Sequence, residues 1–536
     1  MFGAGGGTSS YEEIETTDLI VLWGSNAREA HPIFFHHLAR GMRNGAKMYT
    51  IDPRRTTSAE WADTWLGIDV GSDIALSNAV AREIIVSGFA NDGFIAHSTS
   101  GFDAYAASVD EWTLERAEQV TGVPGTAIKE LAHDYALADT AQLCWTLGIT
   151  EHHNATDNVL ALINLALLTG HVGRYGSGLV PLRGQNNVQG GGDMGALPNK
   201  LPGFQDLEDD ELRGKFEATW GVDIPDKSGL HLSLMFEAME CGDIKALYVI
   251  GENPAQSEAD VSRTRRILDG LDFLVVQDIF LTKTAEMADV VLPASASWAE
   301  TEGTVTSSER RVQRVRKALD PPGSARDDID ILSDIARRLG HNWAPQTPEE
   351  AWDELRSLSP MHGGMSYRRL EDHGGLQWPC PDEDHPGTQF LHGWLWENPL
   401  PRDPVPFFPV EWVPPVDELS DHYPIRLTTG RRLDSYNTGV QSGGYRSPIR
   451  DTGALELAPE EGTKLGLEEG ERARVSSRRG SIDVPVLFNK NLRPGLAFMT
   501  LHFPDDVDVN VLTIDAWDPK SGTAEFKATA VRVDKI

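Results

Sequence analysis

The sequence predicts an α/β protein: two dinucleotide-binding-like α/β/α domains followed by a C-terminal closed β-barrel domain. Three observations predict it. A strand–turn–helix–strand unit occurs twice, the second copy starts about 226 residues after the first, and beyond a proline-rich stretch the apolar pattern changes to short alternating runs. At 536 residues the chain exceeds what one hydrophobic core serves. The expected division is 1–185 for the first α/β domain, 186–398 for the second with a smaller inserted region, 399–415 for a linker, and 416–536 for the barrel.

The first unit opens with an apolar run at 18–23 that ends in Gly24-Ser25-Asn26. A helix over 32–43 follows, then a strand over 47–51 that ends in Asp52-Pro53-Arg54. Strand, helix and strand in succession make parallel sheets. The second copy repeats the order: a strand over 246–250 ends in Gly251-Glu252-Asn253, a helix covers 261–268, and a strand over 273–277 ends in Asp278. Gly24 to Asp52 is 28 residues and Gly251 to Asp278 is 27. The copies then converge, since Ala59, Glu60, Ala62, Asp63 and Leu66 recur 226 positions later as Ala285, Glu286, Ala288, Asp289 and Leu292.

A strand ending in Gly-x-Asn places small residues and backbone amides at the carboxyl end of a sheet, where α/β folds bind ligands. An acid at the next strand tip accepts hydrogen bonds from a ribose or a base. Two such units point to two nucleotide-like groups; a duplicated scaffold without ligands is the other reading. Neither copy is a G-x-G-x-x-G, which argues against an NAD site.

Between the copies, 157–168 reads as a buried helix stopped by Gly170. It leads to a loop over 181–195 with five glycines and four carboxamide side chains around Arg183. So many donors are costly to bury without a polar ligand. A guanidinium pairs a carboxylate through a planar fork and stays charged at any working pH. Arg183 is therefore a candidate anion-holding residue, with a surface salt bridge as the bland alternative. Seven prolines between 399 and 415 mark the linker. Alternating runs at 425–428, 472–476, 482–487, 497–500 and 528–533 then predict the closed β domain.

Composition excludes several classes. With 81 acidic residues against 48 basic ones the net charge is -33, a surface that repels nucleic acid. Only 13 of the basic residues are lysine. An acidic, halophilic surface and a cytoplasmic location are the expectation, because concentrated salt screens the self-repulsion. Cys144, Cys241 and Cys380 are too far apart for a C-x-x-C motif, which argues against a disulfide framework, a zinc ribbon or an iron–sulfur cluster held by this chain alone. The adjacent pairs His36-His37 and His152-His153 point about 100° apart on a helix and make poor metal sites. No metal ligand is assigned. The longest aliphatic run, 159–168, is too short to span a bilayer and is broken by Asn164. The glycine-rich start at 1–7 reads as an interior loop exposed by truncation.

Leu182-Arg183-Gly184-Gln185-Asn186-Asn187-Val188-Gln189-Gly190, with Asp193 to Pro198 behind it, resembles the signature of molybdenum- or tungsten-dependent formate dehydrogenase catalytic subunits. Gly251-Glu252-Asn253-Pro254, Gln277-Asp278-Ile279-Phe280 with Thr282-Lys283-Thr284, and Ala288-Asp289-Val290-Val291-Leu292-Pro293 carry the same resemblance. It implies the molybdopterin oxidoreductase fold, formate as substrate, and a bis-molybdopterin guanine dinucleotide with Mo or W. One dinucleotide would lie on Gly24, Ser25, Asn26, Asp52, Arg54, Gly71, Ser72 and Asp73. The other would lie on Gly251, Glu252, Asn253, Gln277, Asp278 and Asp328. The barrel would close over both with Arg431, Tyr436, Asn437, Asn510 and Lys527, and His502 would sit near that contact. Arg183 would orient formate, supported by Gln185. The family's N-terminal 4Fe-4S cysteine cluster and its metal-ligating Cys or selenocysteine followed by His have no match; by the family's spacing they fall before Met1. Smaller departures are Glu151, where relatives often have Gln, and Phe526, where some have Tyr. The implied partner is an iron–sulfur or electron-acceptor subunit. A non-catalytic scaffold, like the large iron–sulfur subunit of respiratory NADH dehydrogenase, and a nitrate reductase relative are the competing readings.

Overall fold

The computed structural model describes residues 2, 3, 5–344, 346–444, 449 and 452–536. It divides into two units, Met1–Leu182 with Gln256–Ser262 and Phe390–Ile536, and Arg183–Ala255 with Arg263–Gln389.

In the first unit β1 (Leu19–Trp23) is buried at every position, as a central parallel strand must be. Helix α1 (Pro32–Arg43) starts on a proline and buries Phe34, Phe35, Leu38 and Ala39 on one face. Arg40 and Arg43 in its last turn suit the negative end of the helix dipole. Strands β2 (Lys47–Ile51) and β3 (Thr64–Leu66) extend the sheet on one side of β1; β4 (Ala141–Trp145) and β5 (Gly178–Pro181) extend it on the other, all in parallel register. Leu19, Val21 and Trp23 face a core formed with helices α2 (Asp73–Val86), α3 (Gly125–Leu137) and α4 (Ala155–Thr169), while Ile20 and Leu22 face α1. Asn164 lies in the apolar face of α4 because its carboxamide exchanges two hydrogen bonds, 2.7 and 3.1 Å, with the backbone of Phe408. The proline-rich stretch thus runs packed along the helices, with Phe407 stacked on Tyr105 at 4.9 Å.

In the second unit the arginine-bearing segment holds a short helix, α5 (Val188–Asp193), where the sequence suggests only loop. Gly190, Gly191 and Gly192 disfavour a helix by propensity. Asn187, at a positive φ of 65, precedes α5, and its Oδ1 accepts from Thr306 N at 2.9 Å. A Cβ on Gly190 would meet that Oδ1 at 2.0 Å, so the glycine is required there. After α6 (Leu232–Glu240), strand β6 (Ala246–Ile250), helix α7 (Val261–Asp269) and strands β7 (Phe273–Asp278) and β8 (Val290–Pro293) form the second copy of the repeat. They make a parallel sheet of three strands in the order β8-β7-β6. Strands β9 (Gly303–Thr306) and β10 (Arg311–Val315) pair antiparallel, and helix α8 (Asp328–Arg338) follows.

The chain returns to the first unit in a closed barrel of β11 (Ile425–Gly430), β12 (Leu455–Leu457), β13 (Arg472–Ser476), β14 (Ser481–Phe488), β15 (Leu496–Thr500) and β16 (Thr529–Lys535). Alternate residues, Ala473 and Val475, Val484 and Val486, Val531 and Val533, fill its core. The three-residue strand β12 is too short for alternation to reveal it. Among the described residues no helix is long and apolar enough to cross a membrane.

Candidate functional site

The repeat is a structural identity down to single hydrogen bonds. Gly24 N donates to Ile51 O at 2.8 Å, and Gly251 N to Gln277 O at 2.9 Å. Asn26 Oδ1 accepts from Ser58 N and Oγ at 3.2 and 2.9 Å; Asn253 Oδ1 accepts from Thr284 N and Oγ1 at 3.1 and 2.8 Å. Asp63 takes Met48 N, and Asp289 takes Leu274 N, each at 2.8 Å. Both Gly-x-Asn turns therefore use the asparagine oxygen to anchor the turn that follows the second strand. Asp52 and Asp278 each bend back through one oxygen, Oδ1 accepting Arg54 N at 2.9 Å and Phe280 N at 3.0 Å.

In the first unit Gly24 has a φ of +58, and a Cβ there would lie 2.8 Å from the Gly148 backbone. Only glycine permits this approach. Thr146 Oγ1 donates to Gly24 O at 2.6 Å and closes the turn from the β4 side. Ser25 Oγ is buried with no hydrogen-bond partner among the described residues. An unpaired buried hydroxyl beside a bare backbone turn fits a polar ligand such as a phosphate or a base edge, so the residues here suit the dinucleotide that the resemblance implies. Asp52 is buried; burial raises its carboxyl above the usual range, opposed by the charge of Arg54 and more weakly by Lys527. Arg54 lies over the Phe498 ring at 3.7 Å. The structure thus brings Asp52, Arg54 and Lys527 together.

Several of the other expected contact residues also make hydrogen bonds or close contacts within the fold. Gly71 faces Pro415, which a Cβ would meet at 2.5 Å, and its carbonyl accepts from Trp412 Nε1 at 2.9 Å. Ser72 Oγ donates to Asp69 O at 2.7 Å. Asp73 accepts from Trp23 Nε1 at 2.8 Å and is raised by burial, with His152 opposing. Asn510 Nδ2 donates to the carbonyls of Gln256 and Ser257 at 3.2 and 3.0 Å. In the turn after β11, Arg431 is half-buried and Tyr436 exposed, while Asn437 O is held by His502 Nδ1 at 2.7 Å. His502 Nε2 accepts Arg432 N at 2.9 Å, so both ring nitrogens serve the backbone. His37 pairs with Glu15 at 2.7 Å near the surface.

Sequence reasoning missed a buried cluster beneath Lys527. Glu525 is 1% exposed and accepts from Lys527 N, Ala528 N and His153 N at 2.8, 3.0 and 3.1 Å, with His152 Nδ1 at 3.3 Å. Burial alone would raise Glu525; the His152 charge and these hydrogen bonds outweigh it and hold the carboxyl well below the ordinary range. Burial opposes but does not prevent the rise of His152, which Glu525 drives. Lys527 Nζ pairs with Glu151 at 2.7 Å. A separation of 373 residues between His152 and Glu525 hides the pairing from any local motif.

In the second unit Arg183 is half-buried. Its backbone N donates to Ser308 Oγ at 2.8 Å and its Nε to Gln189 Oε1 at 3.0 Å. Gln189 Nε2 donates to Asp193 Oδ1 at 2.8 Å, and Trp378 Nε1 donates to Asp193 Oδ2 at 2.7 Å. Burial pushes the Asp193 carboxyl up to about 6 against these hydrogen bonds. The Arg183 Nε edge is thus seated on a neutral carboxamide that is itself braced by a buried acid. Gln185 is exposed in the turn before α5. Gln277 is buried and bonds Tyr248 and Asp328, and burial raises both Asp278 and Asp328. Gly251 and Glu252 lie exposed at the tip of β6. Cys144 and Cys380 are buried and Cys241 is exposed. Among the described residues no group of three or more His, Cys, Asp or Glu is placed to hold a metal ion.

A family model described as Molybdopterin oxidoreductase matches residues 4–338, and one described as Molydopterin dinucleotide binding domain matches 425–530. The chain is similar to the F420-dependent formate dehydrogenase 2 subunit alpha of Methanococcus maripaludis, at 41% identity over 100% of this chain and 79% of that protein. It is similar to Formate dehydrogenase H of Escherichia coli, at 36% identity over 100% of this chain and 75% of that protein. Among solved structures, Acetylene Hydratase from Pelobacter acetylenicus matches with a TM-score of 0.75 at 20% identity, covering 99% of this chain and 79% of that one. At that identity the match speaks for the fold alone.

Proposed function

Because this chain belongs to the molybdopterin oxidoreductase family, we propose that it is a formate dehydrogenase catalytic subunit, oxidising formate to carbon dioxide at a bis-molybdopterin guanine dinucleotide carrying molybdenum or tungsten. The observation that supports it most is identity of 41% along the entire chain, Arg183 segment included, to a formate dehydrogenase alpha subunit. Formate loses one proton and two electrons to become carbon dioxide, and the bound cofactor supplies the acceptor for both electrons.

The residues of this chain bind and orient. Arg183 pairs both formate oxygens through its planar fork, which sets the direction of the C–H bond where a point charge would not. Gln189 holds the plane of that fork at Nε, and Gln185 on the same segment supports the substrate. The Gly24–Ser25 turn, Asp52 and Arg54 hold one dinucleotide, with Lys527; Gly251, Glu252, Asn253, Gln277, Asp278 and Asp328 hold the other. A segment outside residues 1–536 supplies the metal-ligating Cys or selenocysteine and a 4Fe-4S cluster, and an iron–sulfur or electron-acceptor subunit receives the electrons.

Two outcomes follow. Residues 1–536 expressed alone give no formate-dependent dye reduction, and restoring the missing segment makes it appear; reduction by the isolated chain contradicts the assignment of that segment. Asp52→Ala and Asp278→Ala each weaken retention of one guanine nucleotide by about 1 to 3 kcal/mol, the cost of leaving a buried donor unpaired. Nucleotide content after denaturation checks this. Full retention in both variants makes the repeat a scaffold only.

A further inference from the structure

Lys527 and the Gly24–Ser25 turn, both assigned to the first nucleotide pocket, come from distant segments, and one buried side chain connects them. Glu525 Oε1 accepts Lys527 N and Ala528 N at 2.8 and 3.0 Å, which shapes the stretch that carries Lys527. Glu525 Oε2 meets His152 Nδ1 at 3.3 Å. The other ring nitrogen, His152 Nε2, meets Gly148 O at 3.1 Å. Gly148 belongs to the four-residue helix Leu147–Thr150, and its carbonyl is one of those that a helix end leaves without a partner inside the helix. Gly148 N in turn donates to Gly24 O at 3.2 Å, and a Cβ on Gly148 would lie 2.5 Å from that same oxygen. The line runs Lys527, Glu525, His152, Gly148, Gly24, all inside the first unit.

The partners of His152 fix its charge. A carbonyl only accepts, so Nε2 donates; a carboxylate only accepts, so Nδ1 donates as well. Glu525 is ionised here, since three backbone N–H groups donate to its oxygens and favour the charged form. His152 is therefore an imidazolium, 3% exposed. Loss of either ring proton would leave one acceptor facing a nitrogen lone pair. The charged and titratable groups around it are Glu525 and Lys527 from the stretch before β16, Asp73 from the start of α2, and its neighbours Glu151 and His153. Beyond these, Arg426 on β11 acts on Glu525, and Asp52 at the tip of β2 acts with Asp73 and Lys527. Burial lowers His152; the charge and hydrogen bond of Glu525 and the charge of Asp73 outweigh it against Lys527, and hold His152 above its ordinary 6.5.

We propose that His152, carrying both ring protons, is a positioning residue that holds Lys527 and the Gly24–Ser25 turn at the spacing a nucleoside diphosphate needs, so that the first unit binds nucleotide only while this buried proton stays in place. This rests on the reading of the pocket as a nucleotide site and adds a proton to it. The second unit lacks the device: a Cβ on Gly251, the counterpart of Gly24, would meet no atom within 4 Å among the described residues. The proton linkage therefore belongs to one nucleotide and not to the other.

The test titrates guanosine diphosphate mannose, a pyrophosphate diester that takes up no proton near neutrality, into the full chain carrying Asp278→Ala, which weakens the second site. Affinity is expected to hold steady up to pH 6.5 and to fall on the order of 10-fold as pH rises through the folded value of His152. His152→Gln, which keeps a donor and loses the charge, is expected to bind on the order of 10-fold more weakly below that step and to show no step. Glu525→Gln moves the step to lower pH, because the charge that raises His152 is gone. Nitrogen-15 NMR of the histidine-labelled chain shows a doubly protonated ring that persists above pH 6.5 and is absent from His152→Gln. Should that variant not fold, the step and the signal of the chain with His152 intact carry the test. The proposal is overturned if no doubly protonated ring persists above pH 6.5, if affinity is unchanged across pH with His152 intact, or if the step survives in His152→Gln. A chain that binds the probe at no pH overturns the nucleotide reading of the pocket as well.

Discussion

In the complete, cofactor-loaded enzyme Arg183→Lys lowers formate turnover more than formate binding, and Arg183→Ala lowers both, turnover by a factor on the order of 10² or greater. Formate is a one-carbon anion with no remote group to supply binding energy, so its orientation rests on contacts to two oxygens. Lysine keeps the charge and loses the fork. The seating of Arg183 extends the argument one residue further. Asp193 accepts one N–H from Gln189 and one from Trp378. In Asp193→Asn an amide N–H faces one of those donors, and a turn of the Gln189 carboxamide relieves the clash by withdrawing its oxygen from Arg183 Nε. A loss of about 10-fold in turnover follows, the scale on which supporting partners act at reaction centres. Steady-state kinetics on the three variants check the order Ala, Lys, Asn; unchanged turnover in the lysine variant with a raised KM makes Arg183 an attractor of charge and not an orienting group.

Glu525→Ala destabilises the fold by about 3 to 5 kcal/mol, because His152 must then give up its proton to stay buried and three backbone N–H groups lose their acceptor. The pH dependence has a defined sign. Glu525 titrates below its ordinary 4.5 in the fold, so its contribution is present above pH 4.5 and is lost as pH falls through the folded value. His152 titrates above its ordinary 6.5, so its contribution is present below pH 6.5 and fades as pH rises through the folded value. The stability of the unaltered chain should therefore fall at both ends of that window on account of this pair. Glu525→Gln should flatten both limbs, as denaturant titrations across pH would record. A variant profile parallel to that of the unaltered chain would mean that the pair does not carry the dependence.

The parts of the fold legible in the sequence are those with local period or internal repetition. The 226-residue offset located Asp52 and Asp278, Asp63 and Asp289, and the structure gives each pair the same backbone partner in both copies. Alternation found five of the six barrel strands. What escaped was set by tertiary contacts. Helix α5 forms through three glycines because the Asn187 side chain is tied to Thr306, and propensity points the other way. The cluster of Glu525, His152, Lys527 and Glu151 joins segments 373 residues apart, and only closure of the barrel reveals the partner of Glu151, which is Lys527. The anchoring of the Asn26 and Asn253 side-chain oxygens to the turns that follow the second strands was likewise invisible to local pattern.

The measurement that tests the central claim most directly is the fate of carbon-13 formate given to the complete assembly containing this chain, loaded with molybdenum or tungsten and assayed with an artificial electron acceptor. The account predicts labelled carbon dioxide and two electrons delivered to the acceptor for each formate consumed, with the yield abolished by Arg183→Ala. An assembly with its full complement of guanine nucleotide and metal that leaves the formate unchanged, while reducing or oxidising some other small anion, would contradict it.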